Sequence, residues 1–388
     1  MRMDVCKSTG IAIAGAGFSG ATVARILAEA GYRITVFESR DHVAGNCHTA
    51  RDTQTGVMVH EYGPHIFHTN DGAVWDFVNR FTRFETYRHT VVANAGGHTY
   101  SLPINLGTIN QLFKRDFSPA EAEAHLRDLA HAIETPENFE DQALALMGEE
   151  IYRMFFEGYT RKQWGCDPAH LPASILKRMP LRFDYNCRYF SHQYEGMPRD
   201  GYTALIEAML DHPNIEVVLN TAFSPSEAGI WDHVFWTGPI DRFFEYRLGR
   251  LGYRTLDFER VYGEGDVQGC AVMNYCDADV PWTRITEHKH FAPWETHEKS
   301  VLFREYSRAA GPDDIPFYPI RLAKEQDMLR QYVDLTKTVP GVTFLGRLGT
   351  YRYLDMDVSV RAAMDTAERF LLGQTQGSRL LAFATAAI

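Results

Sequence analysis

The run Gly10-Ile11-Ala12-Ile13-Ala14, followed at once by Gly15-Ala16-Gly17-Phe18-Ser19-Gly20, constrains the fold more than any other feature of this sequence. A short apolar run of this kind suits a strand buried on both faces of a parallel sheet. Beyond it, Val23, Ile26, Leu27 and Ala30 recur at helical spacing and give one apolar face, which Gly31 ends. Residues 33–37 then predict a second strand with Glu38 at its end. In that context Gly15 permits a tight turn, Gly17 lets a pyrophosphate approach the backbone, and Gly20 lets helix and strand pack closely. The helix N-terminus offers unpaired N–H groups to phosphates. Glu38 is placed to accept hydrogen bonds from a ribose hydroxyl pair. Strand, glycine turn, helix, second strand and acid together specify dinucleotide binding, and the carboxylate disfavours the 2′-phosphate of NADP.

The pattern alone does not separate NAD from FAD. Two features lean toward the flavin: the motif starts near the N-terminus, and a second strand-glycine-helix segment lies near the C-terminus. There, Val342 to Gly349 precedes a helix expected from about Met356 to Leu371, which offers the flavin ring another helix dipole with Arg347 beside it. Chain ends that return to one domain imply an inserted middle. At 388 residues the chain has room for two or three domains and a large core. Its formal net charge of −11 disfavours nucleic acid or anionic lipid as a bulk partner, so an anionic ligand must meet a local cationic site. The charge-free stretch Ser8–Ala24 is too short and glycine-rich to be inserted in a membrane. With no basic-then-apolar leader and six scattered cysteines suited to free thiols, the expected compartment is cytoplasmic.

Residues 90–93 and 98–102 flank Asn94-Ala95-Gly96-Gly97 and predict a hairpin. Ser118-Pro119-Ala120-Glu121 is a capping box with proline at the first helical position. Helical patterning runs with breaks over 138–159 and again around 173–178. β-rich runs are expected over 182–190, 253–261, 270–275 and 300–306, with strands over 215–219 and 234–236 and a helix over 202–210 belonging to the α/β part. The early histidines lack metal-ligand spacing, because Gly63-Pro64 interrupts their densest group, and no metal site is expected. Tyr159 and Trp164, five apart at a helix end, form either a core-capping pair or a platform for a planar base. Arg284, close after Trp282, and Arg352, between two tyrosines, are either surface charge or a fork for a nucleotide diphosphate.

Taken together with Gly45-Asn46, Gly63-Pro64-His65-Ile66-Phe67-His68-Thr69, Gly158-Tyr159-Thr160, Gln163-Trp164-Gly165, Leu176-Lys177-Arg178, Thr237-Gly238-Pro239, Thr283-Arg284-Ile285 and Gly349-Thr350-Tyr351-Arg352-Tyr353-Leu354-Asp355, the chain resembles the bacterial UDP-galactopyranose mutases over nearly its whole length. One departure is Ala44, where that family usually has a second glycine. The resemblance implies an α/β fold in which a discontinuous Rossmann-type FAD-binding domain (1–80, 201–242, 321–388) carries two insertions. These are a helical domain (106–178) with a mobile lid at its end and an antiparallel β-sheet domain (81–105, 179–200, 243–320). It implies interconversion of UDP-galactopyranose and UDP-galactofuranose on reduced FAD without net redox, through an adduct of the sugar with flavin N5. It also implies a homodimer that supplies UDP-galactofuranose for cell-surface glycans.

The residue roles it implies are these. Arg178 on the lid and Arg284 clamp the two phosphates, and Tyr318 and Tyr353 hydrogen-bond them. Tyr189 stacks on the uracil, while Phe155, Tyr159, Thr160, Trp164 and Asn274 line the nucleotide and sugar path. His65 and Asp355 lie near flavin and sugar, and Arg347 steadies the reduced flavin. FAD is held by Gly15, Gly17, Phe18, Ser19, Gly20, Glu38, Ser39, Gly45, Asn46, His65, Ile66 and the Leu354-Asp355-Met356 backbone. Two other classes compete: a flavin oxidoreductase of the amine oxidase or desaturase type, expected to show net electron transfer and an apolar tunnel, and a non-catalytic dinucleotide sensor.

Overall fold

A computed structural model describes residues 10–178 and 181–384. Strand Ile11–Ala14 is buried throughout and lies between Ile34–Phe37 and His233–Trp236 in a five-stranded parallel sheet, with Ile215–Val218 and Val342–Phe344 at its edges. Parallel strands covered on both faces need continuous apolar runs, which these short segments supply. The helix Phe18–Glu29 packs along the C-terminal helix Met356–Gln376 over this sheet. Strand order runs outward both ways from Ile11–Ala14, so the crevice at the carboxyl end of that strand is where such sheets bind ligands.

A second sheet has seven strands, in the order Tyr318–Pro319, Tyr253–Glu264, Lys299–Ala309, Arg284–Glu287, Val272–Tyr275, Val91–Ala95 and His98–Leu102. It is antiparallel except where Val272–Tyr275 runs parallel to Val91–Ala95. The expected hairpin turns on Gly96 and Gly97, both at positive φ, as a two-residue connection requires.

The helices between residues 106 and 164 pack on one another and against the seven-stranded sheet. Ser118 and Glu121 form the reciprocal capping box at the start of Pro119–Leu129. The break expected within 138–159 falls at Gly148, whose φ of 77° interrupts Phe139–Ile151. A π-helical turn, Tyr152–Glu157, then leads into the helix Gly158–Trp164. The segment around 173–178 is a 3-10 turn.

The strand expected over 182–190 does not form. Asp184 accepts from the amide of Asn186, and Asn186 from that of Arg188, so local side-chain turns take the backbone donors that a ladder would use. The strand in this region is instead Tyr194–Pro198, paired with Phe67–Thr69 and Phe84–Thr86. No helix among the described residues is long and apolar enough to cross a membrane.

Candidate active site

A cavity of about 1390 Å³ opens at the carboxyl end of the Ile11–Ala14 strand and continues to the seven-stranded sheet. It exceeds the roughly 300–1,000 Å³ of a typical small-molecule site, which gives room for two ligands side by side.

One end is the glycine turn. Gly15 has φ +107°, and a Cβ there would stand 2.1 Å from Thr237 Oγ1. A Cβ on Gly20 would stand 1.9 Å from the Gly15 carbonyl, so this residue lets helix meet strand and does not line the cavity. Gly17 differs: its Cβ would meet nothing nearer than Gly45 Cα at 3.9 Å. Gly17 is also the N-cap and has no side-chain cap, which leaves the first amides of the helix for a ligand. Glu38 is buried, accepting from the amides of Ala16 (2.9 Å) and Arg40 (3.0 Å), and it ties the turn to the second strand. Arg40 donates to Asn46 Oδ1 at 2.8 Å and lies over Tyr62, while its Nη1 is buried without a partner. The set fits a dinucleotide: an open glycine cradle, a free helix N-terminus, an acid and an underused cation.

Further along, His65 and Arg347 face the same cavity. Burial, aided by the Arg347 charge, pulls His65 down to about 4. The ring is therefore neutral near pH 7 and donates from Nδ1 to the Gly63 carbonyl at 2.8 Å, leaving Nε2 as an acceptor. Arg347 donates to the Phe317 carbonyl and lies over Tyr353, and its Nε is buried without a partner. Tyr353 stacks on Tyr318 with centroids 5.7 Å apart.

At the far end Arg284 donates to Tyr159 Oη at 2.9 Å and pairs with Glu305 at 3.1 Å. Arg284 and Glu305 are cross-strand partners, and Glu305 is fully buried and also accepts from Thr283. Burial opposes the Arg284 charge, yet the Glu305 carboxylate holds its pKa well above the usual value. Asn274 Oδ1 and Gln163 Oε1 are buried in the cavity wall with no partner. Buried polar atoms of this kind are normally satisfied, so they mark where a polar ligand sits.

A family model for UDP-galactopyranose mutase matches residues 154–353, and one for an NAD(P)-binding Rossmann-like domain matches residues 13–81. A probable UDP-galactopyranose mutase of Klebsiella pneumoniae is 54% identical over 362 residues, covering 93% of this chain and 94% of that one. The chain belongs to the UDP-galactopyranose mutase family. A dTDP-fucopyranose mutase of Escherichia coli is 48% identical over 369 residues, covering 93% of this chain and 98% of that one. A crystal structure of reduced UDP-galactopyranose mutase superposes with a TM-score of 0.76 at 16% identity, covering 96% of this chain and 98% of that one. Putrescine oxidase also superposes, with a TM-score of 0.57 at 13% identity, a likeness of fold alone.

Within this mutase fold the cavity brings together nearly all the residues singled out from sequence. Phe18, Ser19, Ser39, Gly45, Asn46, Ile66, Leu354, Asp355 and Met356 line it with the glycine turn, and Thr160, Trp164, Tyr189, Asn274 and Tyr318 line it with Arg284. Phe155 does not reach it. Its ring packs edge-on against Tyr100 in the core, and Phe156, one position on in the π-helical turn, lines the cavity instead. The Arg178 side chain and residues 179–180 lie outside the described residues, so its clamp role has no geometry here. Glu305, Arg40 and the pair His68 and His192, whose Nδ1 atoms are 2.6 Å apart, were not foreseen. Among the described residues one metal-like grouping occurs, Asp266, Glu287 and His290, away from the cavity. Its Glu287 oxygens already serve Ser300 and the amides of Val267 and Gln268.

Proposed function

We propose that the chain binds FAD at the glycine turn and interconverts UDP-galactopyranose and UDP-galactofuranose in the adjoining half of the cavity, as a cytoplasmic homodimer whose product feeds cell-surface glycans. The observation that carries this is the half-buried Arg284, held by Glu305 and Tyr159 beside the unpartnered Oδ1 of Asn274 and Oε1 of Gln163, opening into the same cavity as the cradle at Gly17. A guanidinium fork in a water-poor site suits a diphosphate leaving group, because charge grows on it as the anomeric bond breaks.

Gly17, Gly45, Glu38 and the helix amides hold the dinucleotide, and Arg347 with its unpartnered Nε sits where it can offset charge on the ring system. When bound and reduced, the flavin supplies a nucleophilic nitrogen for the anomeric carbon, chemistry that returns to its start without net electron transfer. Tyr189 and Trp164 present faces to the uracil, and Tyr318 and Tyr353 donate to the diphosphate. Arg284, with Arg178 at the end of the 3-10 turn, keeps the departed UDP within reach for its return. Neutral His65 offers Nε2 as an acceptor, and Asp355 lies in the same cavity near flavin and sugar.

The decisive assay incubates the purified yellow protein with UDP-galactofuranose and dithionite and resolves the products. UDP-galactopyranose is expected, and its absence from a folded, flavin-loaded sample refutes the reading. The E. coli relative supplies a second reading, so dTDP-fucopyranose is assayed in parallel; a higher kcat/KM for it would reassign the substrate. Arg284→Ala should keep its flavin and lose about 10²–10³-fold in turnover. Near-normal turnover would remove Arg284 from the clamp.

A further inference from the structure

Lys162 lies one helical turn beyond Tyr159, and its ammonium makes no ion pair within 4 Å among the described residues. Its Nζ donates instead to four main-chain carbonyls, those of Tyr275 (2.7 Å), Asp277 (2.8 Å), Val280 (2.9 Å) and Trp282 (3.1 Å). All four belong to the connection between the strands Val272–Tyr275 and Arg284–Glu287. An ammonium has three N–H bonds, so at least one donor is shared, and the carbonyls surround the nitrogen as they would a small free cation. Burial lowers the Lys162 pKa, against which Asp277 and Asp279 nearby act in the opposite sense.

The connection carries a site residue at each end: Asn274 immediately precedes Tyr275, and Arg284 follows Trp282 by two positions. The helix bearing Lys162 is pressed against it, since a Cβ on Gly158 would stand 2.4 Å from the Cys276 carbonyl. Apart from Lys162, the connection is held at its ends by Cys276 N to Asn94 O, Thr283 N to Glu305 O and Tyr275 N to Thr283 O, and at Asp277 by the Gly96 amide on its carboxylate, so among the described residues Lys162 alone joins the carbonyls of both arms. We infer that Lys162 is a positioning residue: a tethered cation that gathers residues 275–282 and so sets Arg284 and Asn274 against Tyr159. The loss of one cation would let four carbonyls separate, and small misplacements of a phosphate-binding group cost as much as about 10²-fold in rate.

This inference rests on the UDP-sugar reading for its functional consequence, and two readouts separate them. In Lys162→Ala, UDP affinity (by tryptophan fluorescence) and kcat/KM should fall by about 10²-fold, and amides 277–283 should exchange faster. Propylammonium, which supplies the missing stem and charge, should restore all three with saturation, whereas sodium at equal ionic strength should not. UDP affinity within twofold of wild type, or a loss that propylammonium leaves unchanged, overturns the inference. If Lys162→Ala does not fold, Lys162→Met keeps the stem and removes only the charge and donors. Faster exchange over 277–283 with weaker UDP binding then upholds the inference, and wild-type values for both overturn it. Amide exchange needs no turnover, so a wild type that fails to isomerise UDP-galactose refutes the functional reading and leaves the exchange result to decide on Lys162.

Discussion

Ala44 adopts φ 74° while nearly fully buried beside the glycine cradle. A left-handed conformation costs an L-residue about 1–2 kcal/mol, and replacing alanine by glycine returns about 0.4–1 kcal/mol through unfolded-state freedom. The balance predicts that Ala44→Gly raises unfolding stability by ~0.5 kcal/mol and leaves flavin content unchanged. A lower urea midpoint would show instead that the methyl group packs usefully. Glu305 gives the opposite case. Removing a buried carboxylate whose partner is a half-buried guanidinium leaves that charge unpaired, so Glu305→Ala should lose stability, by less than the ~3–5 kcal/mol of a fully buried pair. Added UDP should recover part of the loss, because its phosphates restore a counter-charge to Arg284. A melt of Glu305→Ala matching wild type without UDP would show that Arg284 finds water instead. Arg284 was legible from the aromatic residues near it in sequence. Glu305 was not, because only the register of two distant strands pairs them.

At the scale of the element, the two later glycines of the turn separate folding from binding. Gly20→Ala drives a methyl into the Gly15 carbonyl and should destabilise even the flavin-free protein by about 1–3 kcal/mol. Gly17→Ala meets open space, so the flavin-free protein should melt as wild type while its flavin content collapses. Urea melts of stripped protein and the absorbance of reloaded protein test both. Equal flavin uptake by Gly17→Ala and wild type would move the pyrophosphate elsewhere. Elements whose signal is local, such as the first strand and helix, the capping box of Pro119–Leu129 and the Gly96-Gly97 hairpin, were legible in sequence. The expectation over 182–190 failed because aromatic content looked like a strand while Asp184 and Asn186 fold the backbone on itself. Likewise, apolar periodicity does not show that a π-helical turn rotates Phe156 rather than Phe155 toward the cavity.

Across the whole molecule, the balance of buried histidines sets how the fold responds to acid. Burial holds His233 down to about 4 and His89 and His288 down to about 3, and it pushes His60 well below its usual value. In the unfolded chain each takes up a proton near pH 6.5. A group whose folded pKa is depressed gives stability that is present above its unfolded value and lost as pH falls toward the folded one. The window therefore runs from about pH 6.5 down to about 4 for His233 and to about 3 for His89 and His288. His290 acts in the other sense, its pKa raised by Glu287, so its contribution is complete below pH 6.5 and lost as pH rises. Near pH 5.5 the four buried rings, together with His48 and His65, which are also held down to about 4, give a slope of about five protons, each about 1.4 kcal/mol per pH unit. Urea unfolding at pH 7.5, 6.5 and 5.5 should show stability falling across both intervals, about threefold more steeply across the second, because the unfolded rings are half-protonated by pH 6.5. His233→Gln keeps a hydrogen-bonding partner for Thr343 and should lower the slope by about one proton. A wild-type slope below one proton at pH 5.5 would mean that these rings are solvated in the folded protein. The packing around His60, His89 and His288 would then open more readily than their burial implies.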